Sequence, residues 1–123
     1  MFGHREFYNG FFDVIINGIH DDMFQRRLFY LNEDLRQGID DIDYSWFEKL
    51  KYTKGLYSIK FPKKKFNNLR FLAMRTKINR QDVIIILEGF YEKGNINQNK
   101  GYNKYIKTAE YRMNEYKKCS KGV

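Results

Sequence analysis

A chain of 123 residues is long enough to bury one modest core and too short for two, so a single domain spanning 1–123 is the default. Its 23 Lys and Arg against 15 Asp and Glu give a formal net charge of +8, which favours a polyanionic partner, nucleic acid before an acidic membrane surface. The one cysteine, Cys119, excludes an internal disulfide and a Cys-rich metal site, His4 and His20 lack neighbours at metal-ligand spacing, and the longest apolar run, Val83 to Leu87, is far too short to cross a bilayer. The expectation is a cytoplasmic protein without metal, cofactor or membrane partner.

Residues 2 to 8 suit a short strand ended by Asn9-Gly10, and Phe11 to Ile16 reads as a turn or two of helix closed by Asn17-Gly18. From Asp21, a capping residue, Phe24, Leu28, Leu31 and Leu35 recur on one helical face until Gly38 stops the helix. Ile39 to Tyr44 is an acidic connection, and Trp46 to Leu50 leads into the basic half. There Tyr57, Ile59 and Phe61 alternate with Leu56, Ser58 and Lys60, which predicts a strand whose first set faces a helix packed on the sheet. Pro62 ends it, and Lys63, Lys64 and Lys65 keep the following loop wet. A second strand from about Leu69 to Thr76, a polar turn from Lys77 to Asp82 and a third strand from Val83 to Glu88 complete an antiparallel meander. Gly94 to Gly101 reads as a mobile loop, and Tyr102, Ile106, Ala109, Met113 and Tyr116 form the stripe of a final helix.

From Lys49 to Arg80 the chain carries many cations and no acidic residue. No Gly-rich phosphate loop, zinc spacing or nucleophile elbow is present, which removes most enzyme classes with strong short signatures. RNA cleavage stays open, because the ribose 2′-hydroxyl is itself the nucleophile. The protein need only align it, neutralise a developing phosphorane and manage two protons.

Four blocks then resemble one family in order along the chain. FEKLKYTKGLYSIKF at 47–61, NLRFL at 68–72, VIIILEGFYEK at 83–93 and IKTAEYRMNEY at 106–116 are similar to segments of the RelE/HigB-type toxins of toxin–antitoxin systems, especially the phage-derived HigB-like branch, and Phe7 to Ile16 fits the family's opening. The resemblance implies an α+β fold, with N-terminal helices packed on a small antiparallel sheet and a helix at the C-terminus. It implies a metal-independent endoribonuclease that cuts mRNA on the ribosome, inhibits translation and is silenced by a cognate antitoxin, which can carry a helix-turn-helix.

By position in the matching blocks, Lys60, Arg70 and Lys93 stand where the family keeps basic residues and are the candidate phosphate and transition-state ligands. Glu88 stands where the family has a His and is read either as a replacement general base or as an ion-pair partner of one of these cations; Glu92 replaces a Lys. Arg70 also has a structural reading, a tie to an acidic helix residue such as Asp34. Lys63, Lys64, Lys65, Arg75 and Lys77 are the candidate RNA-backbone contacts. The two unusual carboxylates also fit a rival, a non-catalytic phage or host protein of the same fold that engages RNA, a ribosome or a protein partner.

Overall fold

The Asp21 carboxylate accepts the backbone N–H groups of Met23 at 2.9 Å and Phe24 at 3.1 Å, satisfying two orphan donors and starting helix α1, Asp22–Arg36. Gly38, at φ +71, ends it in the conformation glycine adopts most cheaply. Phe24, Leu31 and Leu35 are buried and Leu28 packs beside them, as their spacing predicts. The computed structural model describes residues 2–3, 21–92 and 98–121. Most of the expected strand at 2 to 8, the helix at Phe11 to Ile16, both histidines and Lys93 lie outside those residues.

Five strands form one sheet in the order β1-β5-β4-β3-β2: β1 Phe2–Gly3, β2 Phe47–Lys49, β3 Leu56–Lys60, β4 Leu69–Ile78 and β5 Gln81–Tyr91. β2 to β5 pair antiparallel, and β1 joins β5 in parallel with Phe2 opposite Ile85. Helix α2, Gln98–Lys121, closes the chain, so the molecule is α+β with helices on both faces of the sheet. Ile59, Phe61, Phe71 and Ile84 pack with α1, while Leu56, Leu72, Ile85 and Leu87 pack with Ala109 and Met113 of α2. Tyr57, Ile59 and Phe61 lie in the α1 layer, as expected. Among the described residues no helix is long and apolar enough to cross a membrane.

Several boundaries differ from the sequence reading. Residues 47–49 are an edge strand where only a lead-in was expected, held because buried Phe47 stacks on Tyr57 across the pair with ring centroids at 5.0 Å. The loop expected over Gly94 to Gly101 is already helical from Gln98. The turn expected over Lys77 to Asp82 shrinks to Asn79-Arg80, both at positive φ (52° and 69°), the signature of a type I′ hairpin, which lets β4 and β5 pair to their tips at Ile78↔Gln81. Arginine is strained at that position. Arg80→Gly is expected to raise stability by about 0.5 to 1 kcal/mol, read as a higher urea midpoint with unchanged slope.

One irregularity shapes the α2 face. Leu72 pairs with Glu88 but Ala73 with Ile86, so Leu87 is an extra residue on β5. The bulge turns Leu87 and Glu88 toward the same helix. There Arg112 donates to the Leu87 carbonyl at 2.7 Å and pairs with the Glu88 carboxylate at 3.4 Å, while Gly89 N–H donates to Glu88 at 3.0 Å.

Candidate functional site

β3 and β4 bring Lys60 and Arg70 directly opposite each other, and Arg70 in turn faces Phe90 on β5. Cross-strand partners share a face, so both cations lie on the α2 side at one end of the sheet. Arg70 is held rigidly. Its Nε donates to Glu92 at 2.8 Å, and one terminal nitrogen donates to the carbonyls of Phe61 at 2.7 Å and Leu69 at 3.1 Å. The acidic partner is therefore Glu92 and not Asp34, because the latter sits on α1 across the sheet and accepts the phenol of Tyr44. That hydrogen bond is the main reason Tyr44 is pushed up to about 12. Lys60 pairs with Glu48 of β2 at 2.6 Å and keeps more solvent around it than Arg70 does.

Two further groups at this end of the sheet escaped the sequence reading. Arg27 of α1 donates to the Lys60 carbonyl and lies over the rings of Trp46 and Phe61, each centroid 5.3 Å away. Burial, and then repulsion from Arg70, lowers its pKa, though an arginine remains charged at neutral pH. Tyr102, at the start of α2, meets the edge of Phe90 at 5.1 Å, and its hydroxyl lies 3.4 Å from that of fully buried Ser58. Burial raises its pKa most; the Ser58 hydrogen bond lowers it, nearby Glu92 raises it, and Arg70 and Lys60 lower it. The net shift is upward, so the phenol stays protonated at neutral pH and can give a proton.

The other candidates are placed differently. Glu88 pairs with Arg112 of α2, not with Lys60 or Arg70, although all of them share the α2 side. Arg75 lies on the α1 side, donating to the carbonyls of Ile39 and Asp40 at 2.6 and 3.1 Å and to Asp82 at 3.2 Å, so it ties the acidic connection to the sheet and stands apart from Arg70. Lys77 is exposed near the far end of β4. The lysine loop contains a single turn, Lys63–Phe66, broken by non-helical dihedrals at Lys64 and Lys65. Lys63 and Lys64 are exposed there, whereas Lys65 pairs with the α1 cap, Asp21.

That last pair has a pH signature. The Lys65 hydrogen bond is the largest influence lowering the Asp21 pKa from 3.8. A depressed carboxylate contributes stability that is complete above the ordinary value and lost as pH falls through the folded one. Asp21→Asn retains a capping oxygen without the charge, so its thermal stability is expected to fall less than wild type between pH 5 and pH 2. Parallel curves would remove the ion pair from the acid response.

Among the described residues, no group of three or more His, Cys, Asp or Glu side chains could hold a metal ion. No protein-family model matches the chain, and no curated protein or solved structure does.

Proposed function

We propose that the chain is a ribosome-associated mRNA endoribonuclease, the toxin of a toxin–antitoxin pair, acting without metal and silenced by a cognate antitoxin. The observation that carries this reading is the convergence of Arg70, Lys60 and the protonated Tyr102 phenol at one end of the sheet. The 2′-oxygen attacks phosphorus and the bond to the 5′-oxygen breaks. Glu92, the carboxylate on Arg70, takes the 2′-hydroxyl proton; Tyr102 gives its proton to the departing 5′-oxygen. Arg70 and Lys60 receive the charge of the phosphorane, and the products are a 2′,3′-cyclic phosphate and a 5′-hydroxyl. Lys93 follows Glu92 directly in sequence and is assigned with these cations as a phosphate ligand.

The test separates proton donation from folding. Tyr102→Phe is expected to slow cleavage by about 10²-fold on ordinary RNA. RNA with sulfur in place of the scissile 5′-oxygen needs no proton on its leaving group, so there the variant should match wild type. Equal loss on both substrates would remove Tyr102 as the acid.

A second reading has its own observation. Arg70 and Lys60 each already hold a carboxylate, which suits a non-catalytic protein of the same fold that binds RNA, a ribosome or a protein partner. In that case Glu92→Gln strengthens RNA binding and no variant at this end of the sheet cleaves.

A further inference from the structure

Away from Arg70 the sheet has a ragged end. The β3–β4 register begins at Leu56↔Met74, whereas β4 continues to Ile78 against β5 alone, so residues 75–78 have a strand on one side only. A groove of about 390 Å³ opens there, with Lys49, Lys54, Lys77 and Lys117 around it and Met74 and Met113 among its walls. All four lysines are exposed. Two acids beside it are occupied: Asp82, which also lines the groove, holds Arg75, and Glu110 accepts the backbone N–H of Lys54 at 2.9 Å. Among the described residues, Lys49, Lys54 and Lys77 have no carboxylate partner.

The groove wraps the free edge of β4: Lys77 and Lys49, by register with Asp82 and Tyr57, stand on the α1 side, while Met113 and Lys117 belong to α2, which adjoins the Arg70 centre near Tyr102. Fifteen helical residues at about 1.5 Å each span roughly 22 Å. Seven strand residues from Arg70 to Lys77 span about 23 Å, so both elements give the same separation. Even the closely stacked strand of a DNA duplex advances about 3.4 Å of axis per phosphate, so one strand bridging the two centres spans several phosphates, at most about seven. An exposed lysine ammonium attracts phosphate as a point charge and reads no base.

We propose that this groove is a second RNA-backbone site, holding phosphates several nucleotides from the one at Arg70. The proposal rests on the RNA reading above and adds Lys49, Lys54 and Lys117 to Lys77 as its contacts. Lys54→Ala/Lys77→Ala, two exposed positions, tests it by fluorescence anisotropy over a range of salt with uncleavable 2′-O-methyl RNA of 4 and 14 nucleotides. The double variant is expected to lose on the order of 10-fold in affinity for the 14-mer near 0.1 M salt and to flatten its log–log salt slope by about 1.4, while 4-mer binding is unchanged. Wild-type affinity and slope for the 14-mer would overturn the groove, as would equal losses for both lengths. A 14-residue glutamate peptide that loses affinity while the RNA does not would overturn the ligand class. Arg70→Ala, measured in parallel, reports on the other centre. If 4-mer binding survives that change, the Arg70 reading fails, and the 14-mer result with Lys54→Ala/Lys77→Ala is still decided on its own.

Discussion

Arg70→Ala is expected to lower cleavage of ribosome-bound mRNA by about 10²-fold or more, the loss usual for one preorganised donor to a developing anion. The reason is geometric. Arg70 is the cation fixed by three bonds at the centre, to Glu92 and to the carbonyls of Phe61 and Leu69, so it needs no reorganisation when charge develops on phosphorus. Those bonds also tie the end of β3 to the start of β4. The variant should therefore lose stability as well, about 1 to 3 kcal/mol for partners left unsatisfied, and rates must be compared per folded molecule. Arg70→Lys separates the roles, since it restores charge without the planar fork and should recover little of the rate. Full activity in Arg70→Lys would mean that charge alone suffices.

The largest stability effect is expected at Arg112. Its guanidinium pairs with Glu88 and caps the Leu87 carbonyl freed by the bulge, with both charged side chains only 12% exposed. Arg112→Ala leaves a buried carboxylate and carbonyl behind and should cost about 3 to 5 kcal/mol, measured by urea denaturation. Glu88→Leu/Arg112→Met removes both charges and should restore most of that loss, because apolar groups satisfy the α2 face without desolvation. Equal instability of the single and double variants would show that packing at the bulge, not charge, is what matters. The same pair decides between the two roles read for Glu88. Held on Arg112, it should tolerate Glu88→Gln with cleavage within about threefold of wild type, whereas a general base would lose roughly 10² or more.

The meander and both helices were legible because each carries a period long enough to declare itself. Phe24 to Leu35 spans three turns of α1, and Tyr57, Ile59 and Phe61 alternate cleanly. β2 was not legible, since Phe47-Glu48-Lys49 is too short for alternation and is stabilised by a stack across the sheet. Arg27 and Tyr102 were hidden by the stripes they belong to. Arg27 lies three residues after Phe24 and four before Leu31, so a charged residue on an apolar face was the available signal. Tyr102 opens the α2 stripe, where a polar tip on an otherwise apolar face was the corresponding hint. The partners of Arg70 and Glu88 depend on long-range register and on one extra residue at Leu87, which no local pattern encodes.

Whether the chain cuts RNA is tested most directly by inducing wild type and Arg70→Ala in growing cells and mapping a translated reporter mRNA by primer extension. New 5′-hydroxyl ends within translated codons, present with wild type and lost with Arg70→Ala, are the expected result. Growth arrest with the mRNA intact, or cleavage that Arg70→Ala leaves unchanged, would contradict it.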